Sequence, residues 1–212
     1  MSDATTHPDR LNLGPVQRRR RLALLLAAIA YFLALPFIHS IGAGEGPLHE
    51  GLEIFGMVLI SCAIVGRSWC TLYIGGRKRH EIVASGPYSI SRNPLYVFSL
   101  LAIFGIGLQT GSLVLGLLAA AIGFAIFYPV IRREEEMLAS AFGAEFTTYC
   151  ARVPRFGPNF SLWRDMDTIV VHPRRLRQTF LEATLFLLAM PICEAIEILQ
   201  DGGYLTPLLH LP

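Results

Sequence analysis

The 212-residue chain is strongly apolar, with 53% hydrophobic residues, only 16% charged residues and a mean hydropathy of +0.49. Soluble globular domains carry about a quarter charged residues, so this composition excludes an ordinary soluble domain and indicates that lipid is the main solvent. The net charge of +2 says little, but the charges collect in blocks between long apolar runs. Nothing in these blocks predicts nucleic-acid binding.

The apolar runs predict about five transmembrane helices. The first run follows the arginines at positions 18 to 21 and is long enough to cross about 30 Å of hydrocarbon. A cleavable signal peptide is the alternative, although the run is long and lacks a clear small-residue cleavage site. Only Thr110 and Gly111 separate the third and fourth runs, which predicts a helical hairpin. The fifth run is weaker because it contains three glutamates and a proline. The five runs cover residues 22–41, 51–74, 95–109, 112–131 and 179–199.

Alternate threading of these spans places every Lys and Arg outside the membrane on one side. The positive-inside rule makes that side cytoplasmic, so residues 1–21 are predicted to be cytoplasmic. We therefore predict an all-α polytopic membrane helix bundle that forms a single membrane domain over residues 1–212. The excess of Arg over Lys, with Lys78 the only lysine, fits a bacterial inner membrane protein. The four cysteines lack ligand spacing and HExxH is absent, so we predict no metal site.

A first motif stretch, Gly86-Pro87-Tyr88-Ser89-Ile90-Ser91-Arg92-Asn93-Pro94-Leu95-Tyr96, leads into the third span. Asn93 is suited to an N-cap and Pro94 to the first helical position, so a helix is predicted to begin there. Its N-terminus at the cytoplasmic surface would attract a carboxylate or phosphate. Arg92 and Tyr96 lie four residues apart and would face the same pocket. The alternative is a capped helix start with a snorkelling arginine and an interfacial tyrosine.

A second motif stretch begins at Arg132 and continues the fourth span as a helix. Its apolar residues recur at helical spacing and predict an amphipathic extension that lies on the membrane: Leu138, Phe142, Phe146 and Tyr149. Glu134 and Glu135 are predicted in the first exposed turn, across the hairpin from Arg92. A run of three glutamates can simply be a solvated face. It can also bind ribose hydroxyls or balance a cationic cofactor.

Together the two stretches resemble the isoprenylcysteine carboxyl methyltransferase and phospholipid methyltransferase superfamily of membrane enzymes. The shared pattern is GPYxxxRxPxY, followed about forty residues later by EExxLxxxFGxxYxxYxxRVPxxxP. The resemblance covers roughly residues 67–158, and residues 159–212 would add a loop and a final transmembrane helix. This chain departs from the pattern at Asn93, where many members have His, and at Phe146, where Tyr is usual.

The resemblance implies an S-adenosylmethionine-dependent methyltransferase. One wall of the cofactor pocket would contain Gly86, Pro87, Tyr88, Arg92, Asn93, Pro94 and Tyr96, and the other wall Glu134 and Glu135. Either glutamate would bind the ribose hydroxyls, and Arg92 with the helix start would bind the cofactor carboxylate. Glu135 and Arg132 are the catalytic candidates, with Arg132 binding an anionic substrate group. An interfacial salt bridge is the alternative for Arg132.

The expected substrate is lipophilic, enters from the bilayer and most resembles the carboxylate of an isoprenylcysteine. A carboxylate is ionised at neutral pH and needs no base, and the sequence shows no conspicuous catalytic base pair. Phospholipid N-methylation is the first alternative, with Glu134 or Glu135 as the base. An NADPH-dependent membrane reductase of related fold and a non-catalytic membrane protein are further alternatives. The sequence leaves the oligomeric state open.

Overall fold

The computed structural model describes residues 14–40, 46–75 and 81–211. This part of the chain is almost entirely helical and confirms the predicted polytopic helix bundle. The helices are α1 Gly14–Ala34, α2 Pro47–Ile74, α3 Pro87–Ile90, α4 Pro94–Leu108, α5 Leu113–Phe142, α6 Ala144–Arg152, α7 Pro173–Thr184 and α8 Ala189–Asp201. Short 3-10 turns lie at Leu35–Phe37, Phe160–Leu162 and Leu185–Leu188. Two three-residue strands, β1 Ile38–Ser40 and β2 Leu209–Leu211, pair in parallel.

Within the described residues, four helical segments are long and apolar enough to cross a membrane: Gln17–Phe37, Pro47–Ile74, Leu113–Phe142 and Pro173–Asp201. The last segment consists of α7 and α8 joined by a 3-10 turn. These four segments correspond to predicted spans one, two, four and five. The third predicted span is the shorter α4, whose 15 residues reach about 22 Å. α4 alone is therefore shorter than the hydrocarbon layer, and it packs between α2 and α5.

Glycines allow close contact between the central helices. A Cβ atom added to Gly105 of α4 would lie 2.6 Å from the carbonyl oxygen of Gly56 in α2. A Cβ added to Gly107 would lie 2.5 Å from the Cα of Gly116 in α5. Small residues at such crossings let helix backbones approach in a lipid environment, where apolar burial alone gives little attraction between helices.

The predicted hairpin joins α4 to α5 through residues 109–112, and we call this end of the bundle the hairpin end. Gly111 adopts φ +62°, and the Ser112 hydroxyl accepts a hydrogen bond from the Leu115 amide at 3.4 Å. The Gln109 side chain donates to the carbonyl oxygen of Glu53 at 2.9 Å, which ties the turn to α2. The turn is buried rather than exposed, so its polar groups need these partners.

The opposite end, which we call the motif end, contains residues 81–93, the end of α5, α6 and residues 153–164. The loop before α4 is bonded to the chain after α6. The Gly86 amide donates to the Arg164 carbonyl at 2.7 Å, and the Arg92 amide to the Pro154 carbonyl at 2.8 Å. These bonds bury the first motif stretch inside the bundle and join it to a segment about 60 to 80 residues later.

The helical extension after the fourth span is present, but its apolar side does not lie on the membrane as predicted. Gly143 adopts φ +53° and turns the chain, so that α6 packs back over the loop that precedes α4. Phe146 and Tyr149 are buried there against Ile82, and the Tyr149 hydroxyl donates to the Tyr88 carbonyl at 2.8 Å. The helical spacing correctly predicted an apolar face on this helix, but that face packs against protein and not against lipid.

Candidate functional site

A small cavity of about 70 Å³ lies at the motif end and brings the two motif stretches together. Apart from Glu81 and Tyr149, its polar lining comes from site residues that the sequence singled out: Tyr88, Arg92, Asn93, Tyr96, Glu134 and Glu135. Apolar side chains of α5 and α6, among them Leu138 and Phe146, complete the wall. Gly86, Pro87 and Pro94 do not line this cavity, and they act on the backbone that shapes it.

Glu135 is fixed by three partners. Arg155 binds one carboxylate oxygen through Nη2 at 2.7 Å and through Nε at 3.0 Å. The Asn93 amide donates to the other oxygen at 3.2 Å, and Arg92 Nη1 lies 3.6 Å from it. The hydrogen bonds from Arg155 to this carboxylate raise the pKa of the Arg155 guanidinium. Glu135 thus holds the segment after α6 against the start of α4.

Glu134 is also buried, and it connects the site to the first helix. The Gln17 side chain of α1 donates to its carboxylate, and the Tyr96 hydroxyl lies against it. The sequence placed Glu134 and Glu135 in an exposed turn, but they are only 4% and 9% exposed. The correction has a clear cause, because α1 and the segments around Arg92 and Arg155 cover this side of α5, which leaves Glu136 as the exposed glutamate.

Two donors at the cavity have no protein acceptor. Tyr88 Oη and Arg92 Nε are buried, and neither has a hydrogen-bond partner within the part of the chain that the structure describes. Burial raises the pKa of the Tyr88 hydroxyl well above its ordinary value, so the group stays protonated and remains a donor. Buried polar groups are normally paired, so two donors in one cavity lining that lack a partner among the described residues indicate room for the acceptor atoms of a ligand.

The start of α4 is at Pro94, as predicted from the sequence, but Asn93 does not cap it through its side chain. That amide instead donates to Glu135 and to the Arg155 carbonyl at 3.3 Å. Gly86 adopts φ +56°, and an added Cβ atom would lie 2.4 Å from the Tyr73 ring. Only glycine therefore permits the turn that leads into Pro87 and carries Tyr88 into the cavity.

Arg132 is not brought to the cavity. Its side chain is 50% exposed and lies 3.8 Å from Glu136, one helical turn later on α5. This geometry matches the interfacial salt bridge that was its alternative reading. We assign no substrate contact to Arg132, because the buried face of α5 at this level carries Glu134 and Glu135 instead.

Comparison with known proteins bears on this arrangement directly. Residues 52–145 match the family model described as phospholipid methyltransferase. The cobalt-zinc-cadmium resistance protein CzcN of Cupriavidus metallidurans is 39% identical over 216 residues, which cover 99% of this chain and 98% of the relative. The chain belongs to the isoprenylcysteine carboxyl and phospholipid methyltransferase superfamily.

A second relative, the nickel-cobalt-cadmium resistance protein NccN of Alcaligenes xylosoxydans xylosoxydans, is 38% identical over 165 residues, or 78% of this chain and 77% of the relative. No solved structure matches the chain. The family match runs from α2 to the start of α6 and so contains the whole cavity lining except Phe146 and Tyr149. Its domain is one of membrane methyl transfer, which confirms the resemblance seen in the two motif stretches.

Three residues of this candidate site were missed in the sequence. Arg155 lies within the second motif stretch, at a position that the shared pattern leaves open. Gln17 and Arg20 sit in the N-terminal basic block, where arginines serve as topology signals. Arg20 Nη1 donates to the Tyr96 hydroxyl at 2.8 Å. The available signal was the helical spacing of Gln17 and Arg20 just before the first apolar run, and it is a weak one.

A second cavity, of about 510 Å³, lies beside the first and between the membrane-spanning helices. Leu95 and Tyr96 line both cavities and so form the wall between them. The second cavity is mainly apolar, with side chains such as Phe127 and Phe186 in its lining. The candidate site thus has a small cavity with several charged side chains in its lining and a larger, mainly apolar cavity, and the two meet at Tyr96.

The hairpin end contains a group of ligand-type side chains that the sequence did not predict. His49 Nε2 lies 3.4 Å from a Glu53 oxygen and 3.5 Å from a Glu197 oxygen. One atom from each side chain falls within 4.8 Å of the others, as a shared metal ion requires. The glutamates come from α2 and α8, so no local spacing in the sequence could have revealed the group.

Proposed function

We propose that this protein transfers a methyl group from S-adenosylmethionine to a lipophilic acceptor within the membrane. The observation that carries the proposal is the junction at Tyr96. On one side lie the unpaired donors of Tyr88 and Arg92 with two buried carboxylates, and on the other lies an apolar cavity of about 510 Å³. Members of the family use this cofactor, whose sulfonium supplies an electrophilic methyl group when it is bound.

The lining residues suit the polar groups of the cofactor. Arg92 offers a charged donor to its carboxylate, and Tyr88 offers a neutral donor. The carboxylate of Glu135 already binds Arg155 and Asn93, so Glu134 is the better of the two predicted partners for the ribose hydroxyls. A cavity of about 70 Å³ holds only part of such a ligand, since small-molecule pockets usually measure roughly 300–1,000 Å³. Side chains of the lining therefore move when the cofactor binds.

Methyl transfer from a sulfonium is an in-line displacement, so the protein must align the acceptor and keep water out. The Glu135–Arg155 pair contributes by holding the segment after α6 over the cavity. A carboxylate acceptor of the isoprenylcysteine type would need no base. A phospholipid amine would need to lose a proton, and Glu134 beside Tyr96 is then the base.

The location follows from the charges at the motif end. The arginines of residues 18–21 and of α7 lie on the side of the membrane that the positive-inside rule makes cytoplasmic. We propose a bacterial inner membrane protein whose cofactor cavity opens to the cytoplasm, where S-adenosylmethionine is available.

Titration calorimetry on the detergent-solubilised full chain tests the proposal. We expect S-adenosylhomocysteine to bind with a Kd below millimolar and NADPH not to bind. Tyr88→Phe should weaken binding about tenfold, because it removes one hydrogen bond to the ligand. Tyr204→Phe is the matched control, since Tyr204 is 81% exposed. NADPH binding would favour the reductase alternative, and binding of neither compound would favour a non-catalytic protein.

The relatives suggest a second candidate function, the handling of divalent metal ions, because both are named for metal resistance. The supporting observation is the group of His49, Glu53 and Glu197 at the hairpin end. Its nitrogen and two oxygens lie at spacings compatible with joint coordination of a zinc-like ion.

Calorimetric titration with Zn²⁺ and Cd²⁺ tests this second function. Binding should be lost in His49→Gln and kept in His172→Gln, whose imidazole is exposed at the start of α7. Equal binding by both variants would rule out this group as the metal site.

A further inference from the structure

The larger cavity carries more positive charge than an apolar compartment needs. Among the described residues that line it, the charged ones are three arginines and one glutamate: Arg20, Arg21, Arg67 and Glu182. Glu182 lies in α7 and its carboxylate accepts a hydrogen bond from Gln178 at 2.9 Å. A net positive lining in an otherwise apolar space is costly unless an anion balances it.

Arg67 lies within the membrane-spanning helix α2. Its Nη1 donates to the Ser99 hydroxyl of α4, and its guanidinium carbon lies 5.7 Å from the centre of the Phe186 ring. Its Nε is buried and has no hydrogen-bond partner among the residues described. The side chain is thus held across the cavity by α4 and the α7–α8 junction, with one donor unused.

Arg20 of α1 lines the same cavity. Its Nη1 donates to the Tyr96 hydroxyl at 2.8 Å, and its guanidinium carbon lies 5.5 Å from the centre of that ring. Its Nε is also buried without a partner in the described chain. Arg20 therefore stands beside the wall that separates the apolar cavity from the cofactor cavity.

Arg67 is near enough to Arg20 for their charges to repel each other, and it is also attracted, less strongly, by Glu182. Snorkelling does not account for them, because a snorkelling arginine places its guanidinium in water or among lipid headgroups. Here both guanidinium groups bond to side chains inside the bundle, and both Nε atoms are shielded from solvent. Two repelling cations with unused donors form a site for an anion.

We propose that Arg20 and Arg67 bind the anionic group of a lipophilic ligand, a carboxylate or a phosphate, whose hydrocarbon part fills the apolar cavity. Arginine suits such oxygen groups because its donors are planar and directional. As a statement about the methyl acceptor, this inference rests on the proposed function. It adds that Arg20 and Arg67 hold the charged group of the acceptor at Tyr96, next to the cofactor.

Binding of the fluorescent fatty acid cis-parinaric acid to the full chain in the neutral detergent dodecyl maltoside tests the inference. The methyl ester of the same acid is a neutral probe with the same chain. We expect the acid to bind about tenfold or more tightly than the ester, as loss of a charge-assisted hydrogen bond implies. Arg67→Gln and Arg20→Gln should reduce acid binding to the level of the ester.

Arg67→Lys keeps the charge without the planar donors and should fall between wild type and Arg67→Gln. If Arg67→Gln fails to fold, Arg67→Lys takes its place in the test. Arg175→Gln, an exposed position of α7, should bind like wild type. Competition by palmitate or by phosphatidic acid then distinguishes a carboxylate from a phosphate. Equal binding of acid and ester by the wild type, or unchanged acid preference in both arginine variants, would overturn the proposal.

Cofactor binding is measured separately on the same variants. Arg67→Gln should still bind S-adenosylhomocysteine, because Arg67 does not line the polar cavity. Acid binding without S-adenosylhomocysteine binding would defeat the proposed function and leave the anion site standing. The converse result would defeat the anion site alone.

Discussion

Glu135 is the residue on which the geometry of the candidate site depends most. It joins α5 to Arg155 after α6 and to Asn93 before α4, so three separate parts of the chain meet at one carboxylate. Removing one partner of a buried ion pair usually costs about 3–5 kcal/mol. Arg155 is 30% exposed, and we therefore expect Glu135→Gln to cost about 3 kcal/mol, the lower end of that range.

The Glu135→Gln prediction is measured as the thermal unfolding midpoint in detergent, with and without Arg155→Gln. The double variant should recover part of the loss, with a coupling of at least about 1 kcal/mol. Simple addition of the two effects would show that the pair does not hold the site together.

The buried tyrosines at the motif end predict a loss of stability in alkali. Burial raises the pKa of Tyr88 and of Tyr149 above the value of about 10 for an unfolded tyrosine. The unfolded chain then releases these protons first, so their contribution is complete below about pH 10 and falls as the pH rises further. Thermal midpoints between pH 8 and 11 should fall less steeply above pH 10 in Tyr149→Phe than in wild type. Identical slopes would contradict this account.

Single residues show where sequence reasoning stopped. Glu134, Glu135 and Arg92 could be selected because they lie in motif stretches with a recognisable pattern. Gln17 and Arg155 could not, because their roles come from contacts across the fold, with Glu134 on α5 and with Glu135. Burial of adjacent glutamates was equally hidden, since it depends on segments that cover α5 from two directions.

At the scale of elements, the two glycine turns around the motif end make a matched pair. Gly86 and Gly143 both have positive φ, but only Gly86 faces a side chain, the Tyr73 ring 2.4 Å from an added Cβ. Alanine at either position costs about 1–2 kcal/mol in backbone strain. Gly86→Ala should cost clearly more and should also reduce S-adenosylhomocysteine binding, because it displaces Tyr88. Equal thermal midpoints for the two variants would contradict this reading.

Helix starts and helix faces differ in how well they could be predicted. The start of α4 at Pro94 followed from local chemistry, since proline fits the first helical position. The surface against which α6 packs could not be predicted in this way, because helical spacing indicates an apolar face but not whether lipid or protein covers it. The backbone turn at Gly143 decides that question, and a single glycine in the sequence did not reveal it.

The whole molecule has an orientation that reporter fusions can measure. The positive-inside prediction places residue 45 outside the cytoplasm and residue 160 inside. Alkaline phosphatase fused after residue 45 should therefore be active in a bacterial host, and the same enzyme fused after residue 160 should be inactive. Green fluorescent protein at the same two positions should give the reverse result. Phosphatase activity at residue 160 alone would show an inverted topology and would place the proposed cofactor cavity in the wrong compartment.

Hydropathy and the spacing of the apolar runs were sufficient for the bundle, the hairpin and four of the five predicted spans, because the bilayer imposes apolar helices on any such sequence. They were insufficient for what the helices enclose. The shared wall at Tyr96 and the arginines that line the apolar cavity depend on how α1 and α7 pack around the α2, α4 and α5 core.

Transfer of tritium from S-adenosyl-[methyl-³H]methionine is the most direct test of the central claim. The purified chain in proteoliposomes would be given total lipid extract, a prenylated cysteine analogue and phosphatidylethanolamine as acceptors. The account predicts organic-extractable label with wild type, and at least about tenfold less with Arg92→Gln, which loses a charged cofactor contact. Folded protein that transfers no label to any of these acceptors would contradict it.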